Sequence, residues 1–218
     1  MEALSPLQSR AAAAALLTVF VLGFALALVL RSWRVVRRTG INPVVLPNSD
    51  DAAGYVGRGF RLVLVCTALW VVLVAASPAT AGRLGLFAPV PLGPLALLGW
   101  PIVAAALALM WAAQEQMGAS GRVGIDRKRA TALVTGGLFG RSRNPIFLAM
   151  RALMVGLVLL VPAAPTLALL VAAEILIQVQ VRLEEAHLSA LHGGAYDDYR
   201  AQVRRWWGRH VTPASTQP

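Results

Sequence analysis

Residues 141–185 read RSRNPIFLAMRALMVGLVLLVPAAPTLALLVAAEILIQVQVRLEE, and this stretch decides the fold. Two apolar runs, Ile146 to Val161 and Thr166 to Val181, flank the break Val161-Pro162-Ala163-Ala164-Pro165. Each run is close to the ~20 apolar residues that cross a bilayer, and the tight proline break predicts a helical hairpin. Polar residues stand at both open ends: Arg143-Asn144 before the first run, Arg182, Glu184 and Glu185 after the second. Working outward, the run Leu92 to Ala113 forms a third candidate span, interrupted by Pro94 and Pro101. Leu62 to Ala76, extended by Phe60 and a snorkelling Arg61, forms another. Ala11 to Leu30 has no charge and completes a set of five. The expected fold is an all-α integral membrane protein of about five transmembrane helices.

Composition agrees with that reading. Of 218 residues, 57% are hydrophobic and 14% charged, and the mean hydropathy is +0.65. Soluble domains run near ~45–50% apolar and ~25% charged, so an ordinary soluble enzyme is excluded, as is a disordered chain. The single cysteine, Cys66, allows neither an internal disulfide nor a cysteine metal centre. His187, His192 and His210 lack ligand spacing, so no metal is expected. The net charge is +10, and a membrane surface explains it better than nucleic acid. Between or beside spans one and two, between spans three and four, and after span five lie 17 basic residues. Only Arg10 and Arg83 lie on the other face. The asymmetry predicts an external N-terminus and a cytoplasmic C-terminus.

The expected organisation is three N-terminal spans in 1–113 with a cytoplasmic loop at 31–60. A functional region follows at 114–210, and 211–218 reads as a disordered tail. Gly136 and Gly137 permit close backbone approach to a ligand. Asn144 and Pro145 open the fourth span as cap and first turn, and the amides there suit an anion. The fifth helical pattern runs on to Leu191, so Arg182, Glu184, Glu185 and His187 stand in or above the head-group layer. Two adjacent carboxylates there call for a cation nearby. After Gly193-Gly194, the stripe Tyr196, Tyr199, Val203 and Trp206 predicts an interfacial amphipathic helix. Arg151 and Glu174 fall inside their spans about 10 and 12 Å below Asn144 and Arg182, and equal depth on adjacent helices predicts a pair.

Several strings resemble one family. Ser142-Arg143-Asn144-Pro145-Ile146-Phe147 is similar to the Arg-His/Asn-Pro-x-Tyr/Phe motif of the isoprenylcysteine carboxyl methyltransferase and phospholipid methyltransferase group. Thr135-Gly136-Gly137-Leu138-Phe139 resembles its preceding turn. Arg182-Leu-Glu184-Glu185, His192-Gly193-x-x-Tyr196-x-x-Tyr199 and Val203-Arg204 follow in the family's order. Gly121 stands where bacterial relatives carry tryptophan, and His192 where phenylalanine is usual. The resemblance covers about residues 114–207. It implies a membrane-embedded methyltransferase using S-adenosylmethionine, with the cofactor at the cytoplasmic ends of the last two spans. Carried over, the cofactor-binding candidates are Gly137, Leu138, Arg143, Asn144, Pro145, Phe147, Glu184, Glu185, His192 and Tyr199. Glu185, Arg182 and Arg151 are the catalytic candidates. The implied partners are S-adenosylmethionine, a lipophilic or small-molecule methyl acceptor, and membrane lipids, in a bacterial cytoplasmic membrane. Two other readings compete: a nicotinamide-dependent membrane reductase of the sterol-reductase type, and a non-enzymatic scaffold with the same fold.

Overall fold

The computed structural model describes residues 50–77, 93–117 and 133–210, with single positions between 14 and 37 and at 83–84. The expected first span at 11–30, most of the loop at 31–60, the stretch 118–132 with Gly121, and the tail 211–218 lie largely or wholly outside them. The described residues form five long helical elements and no named strand. They are α1 (Ala52–Ala76), α2 (Gly93–Met117), α3 (Pro145–Leu160), α4 (Ala164–His192) and α5 (Gly194–Gln202). The chain is an all-helical membrane protein: α1, α2 and α4 are each long and apolar enough to cross a bilayer, and α3 is a shorter apolar helix.

The expected hairpin is α3 and α4, turning at Val161–Ala163. The expected second span starts earlier than its apolar run: α1 begins at Ala52, not near Phe60. The Asp51 carboxylate accepts from the Gly54 amide at 2.8 Å and fixes that start. Arg58 and Arg61 lie within the helix, which is why hydropathy alone truncated it.

In a bilayer the tails compete with apolar side chains, so close packing must hold helices together. At the α2–α3 crossing a Cβ on Gly99 would stand 2.6 Å from Leu160 Cγ and 3.0 Å from the Gly156 carbonyl. One on Gly156 would stand 2.7 Å from Val103 Cγ2. Only glycine permits that approach. Trp70, Val71 and Val74 of α1 join Val103, Met154, Leu157, Leu160 and Ala173 in one buried cluster. The Trp70 indole donates to Thr166 Oγ1 at 2.9 Å, tying α1 to the start of α4.

α4 has 29 residues, about 43 Å at 1.5 Å per residue, so it overshoots a ~30 Å hydrocarbon core. The final stripe behaves differently from expectation. α5 ends at Gln202, and Val203 is extended and bridges to Arg209. Tyr196, Tyr199 and Val203 are buried against Leu133 and Leu188, so protein rather than lipid covers most of the stripe. Trp206 sits in the turn between Val203 and Arg209, which we call the C-terminal hairpin loop.

Candidate active site at the start of α3

The turn before α3 is built first. Gly137 has φ +60, a left-handed conformation that L side chains rarely adopt, and a Cβ there would meet Gln116 Oε1 at 2.5 Å. That same oxygen accepts from the Leu138 amide at 2.7 Å. Tyr199 is buried and donates its hydroxyl to the Phe139 carbonyl at 2.7 Å. Two elements distant in sequence therefore set the path of 135–140. Burial pushes the Tyr199 and Tyr196 hydroxyls above their ordinary range; at Tyr199 the neighbouring tyrosine adds to this, at Tyr196 the Glu185 carboxylate does.

The C-terminal hairpin loop is then sewn to this turn through backbone groups. The Arg143 amide donates to the Arg204 carbonyl at 3.1 Å, and the Gly208 amide to the Arg141 carbonyl at 2.6 Å. Asn144 stands at the N-cap of α3 but makes no cap bond. Its Nδ2 instead donates to the Arg205 carbonyl at 3.3 Å and lies 3.5 Å from Glu185 Oε1. The capping role expected of Asn144 is therefore replaced by a tie between elements. The Asn144 amide donates to Ser142 Oγ at 3.1 Å, so the amides of Arg143 and Asn144, just ahead of the helix, are both engaged.

Glu185 lies at the centre of the cluster. Arg205 donates to it from Nε at 3.0 Å and Nη2 at 2.8 Å, a two-pronged pair, and Arg143 Nη2 stands 3.3 Å away. Hydrogen bonding to Glu185 holds the Arg205 guanidinium above its ordinary value. Two arginines thus answer Glu185. Glu184 points elsewhere and accepts from Gln180 Nε2 at 3.0 Å. The Glu185 and Arg143 side chains are only 12% and 8% exposed, yet Arg143 Nε and Nη1 have no hydrogen-bond partner among the described residues. His192 Nε2 and Gln114 Oε1 are also buried without partners among the described residues. Such groups are rare and costly in a finished protein interior. With two guanidinium groups against one carboxylate, the cluster carries one uncompensated positive charge.

The other candidates are placed as follows. Pro145 is buried in the first turn of α3. Phe147 stacks on Phe60 of α1 at 6.5 Å between centroids. Arg182 donates from Nη1 to the Gln178 carbonyl at 2.6 Å and to Gln178 Oε1 at 2.9 Å. It lines an open cavity of about 540 Å³ with Glu185, Ala186, Ser189, Ala190 and Arg200. Arg151 lies away from the cluster. As expected, it pairs with Glu174, from Nε at 2.8 Å and Nη2 at 3.0 Å, and its guanidinium rests 4.3 Å over the Trp206 ring. Arg205, Gln116 and Trp206 were not singled out as site residues by sequence. The demand for a cation beside Glu185 was the signal that could have found Arg205.

Fold and site together define a class: an all-helical membrane protein whose last long helices carry a buried, incompletely satisfied polar cluster where α3 begins and α4 ends. The family model for phospholipid methyltransferase matches residues 95–195, which include α3, α4 and Glu185. That segment is similar to the phospholipid methyltransferase family. No curated protein and no solved structure matches the chain.

Proposed function

We propose that the protein transfers a methyl group from S-adenosylmethionine to a lipophilic or small acceptor bearing a carboxylate, amine or thiol, at the cytoplasmic membrane interface. The observation that carries this is Arg143: a nearly buried guanidinium with two donors unused, in a cluster with one surplus positive charge. That donor set fits the cofactor's carboxylate. Glu185, held between Arg143 and Arg205, would supply the carboxylate nearest its ammonium or sulfonium, with Glu184 turned toward Gln180 behind it. When bound, S-adenosylmethionine supplies an electrophilic methyl on a sulfonium. The protein's own residues orient and exclude water, the main needs of an in-line displacement. Arg143 would hold a carboxylate, and Asn144 and Arg205 would keep Glu185 in place. Gly137 and Leu138 would bring backbone close to the ligand, with Tyr199 as their brace. Pro145 and Phe147 would wall the start of α3, and His192 Nε2 would offer a further polar contact. Arg182, beside Glu185 in the open cavity, would face the acceptor. Arg151, with its guanidinium engaged by Glu174 and Trp206, would serve the site from a distance. On this reading residues 114–210 form the catalytic region, supported by the spans within 1–113.

Calorimetry on detergent-solubilised protein tests the cofactor. Saturable binding of S-adenosylmethionine with no binding of the reduced nicotinamide cofactor is expected; the reverse would replace the methyltransferase reading with the reductase one. Reporter fusions after residues 45, 130 and 215 should read cytoplasmic and one after 85 external; a cytoplasmic signal at 85 would overturn the orientation.

A further inference from the structure

The C-terminal hairpin loop has two faces. Its inner side chains hold the cluster: Arg205 grips Glu185, and the Trp206 ring lies 4.3 Å from the Arg151 guanidinium. Arg204, Trp207 and Arg209 are exposed, Trp207 by 53%. They gather round Gly208, whose φ of +98 favours glycine. The Gly208 carbonyl accepts from the Arg204 amide at 3.0 Å, and Arg204 Cδ lies 3.8 Å from the place of a Gly208 Cβ. The Gly208 amide donates to the carbonyl of Arg141, a third exposed arginine. Among the described residues, none of Arg141, Arg204 and Arg209 pairs with a carboxylate. Three uncompensated charges round one glycine repel each other, and an anion relieves the repulsion.

Depth says which anion. Arg151 lies six residues past Pro145, about 9 Å along the apolar helix α3 at 1.5 Å per residue. The contact with Trp206 therefore holds the loop beside α3, at the boundary between head groups and hydrocarbon. Tryptophan is favoured at that level, and arginine there meets anionic head groups. We propose that residues 203–209, with Arg141, form a docking surface for anionic membrane lipids, and that docking steadies the grip of Arg205 on Glu185. The link is short: the Arg204 carbonyl takes the Arg143 amide, and the Arg205 carbonyl takes Asn144 Nδ2. A head group that holds Arg204 on the outside thus holds the start of α3 on the inside. The inference goes beyond the methyltransferase reading and does not depend on it.

The test places full-length protein in nanodiscs of phosphatidylcholine, alone or doped with phosphatidylglycerol, and follows amide hydrogen exchange by mass spectrometry. Phosphatidylglycerol should slow exchange across 203–210 and at the Arg143 amide, because the bonded amides there open when the loop lifts. One arginine at a membrane surface is worth about five-fold in binding, so Arg204→Gln combined with Arg209→Gln should cut the slowing about 25-fold. Arg83→Gln removes one such charge beside the start of α4, at the far end of that helix from Glu185, and should leave the slowing intact. Salt at about 1 M should erase it, because the Debye length falls to about 3 Å. Equal exchange in the two nanodiscs, an equal loss in Arg83→Gln, or slowing confined to 203–210 would overturn the proposal. So would the same slowing by excess inorganic phosphate in phosphatidylcholine alone, the mark of a soluble anion. The measurement contains no S-adenosylmethionine, so its failure leaves the methyltransferase reading standing, and the failure of that reading leaves the docking surface standing.

Discussion

Two arginines, Arg143 just before α3 and Arg151 within it, each meet a carboxylate on α4, and they differ in how completely they are satisfied. Arg151 makes a two-pronged pair with Glu174 and lies against an indole, with a third of its side chain exposed. Arg143 is far more buried, shares its carboxylate with Arg205, and leaves two nitrogens without partners among the described residues. Burying an unused donor costs on the order of 1–3 kcal/mol. The proposed function accounts for that cost in one arginine and not in its neighbour two turns along: a ligand would complete the first. The Arg151 pair belongs to the scaffold; the proposed function assigns the Arg143 cluster to a ligand.

The sharpest way to break that contrast is at Arg143. Arg143→Ala should weaken S-adenosylmethionine about 10- to 150-fold by calorimetry, the loss of a charge-assisted contact of ~1.5–3 kcal/mol. Arg151→Met should leave that affinity within a few-fold. Equal losses in the two would erase the distinction.

Next in size is the pair itself. Arg151→Met or Glu174→Leu should each destabilise the protein by about 1–3 kcal/mol. This is below the value for a fully buried pair because a third of each side chain is exposed. The double variant should recover much of the loss, read by thermal or denaturant unfolding in detergent. Simple addition of the two single effects would mean that the charges do not act as a pair.

The smallest effect concerns the brace. A tyrosine whose folded pKa is raised contributes stability that is complete below its unfolded value, near ~10, and is lost as pH climbs through the folded value. Stability should therefore be level through neutral pH with respect to Tyr199 and fall above about pH 10. Tyr199→Phe should reduce that alkaline slope and cost about 0.5–1.5 kcal/mol at neutral pH, by the lost bond to the Phe139 carbonyl. An unchanged alkaline slope in the variant would assign it to other groups.

What could be read from sequence follows from rigidity. The hairpin of α3 and α4, and the pairing of Arg151 with Glu174, were legible because helices convert residue spacing into depth at a fixed rise. The role of Arg205 was not, because it depends on a loop returning from beyond α5 to lie against residues 141–144. No periodicity encodes such a return. The stripe Tyr196, Tyr199 and Val203 showed a covered face, but the same spacing serves a membrane surface or a protein neighbour. Here the neighbours are Leu133 and Leu188. The early start of α1 was hidden by Arg58 and Arg61, which lower hydropathy without breaking a helix.

The contact of Gly99 with Gly156 makes the α2–α3 crossing a fulcrum. Gly156 lies eleven residues from Pro145, a lever arm of about 16 Å at 1.5 Å per residue. Rocking α3 by ~5° about that point swings its leading end by about 1.4 Å. Helices adjust their tilt to the thickness of the surrounding bilayer. Displacements of ~1 Å in a reacting geometry alter rates by about a hundredfold. On the methyltransferase reading, bilayer thickness becomes a mechanical input to the site, delivered along α3.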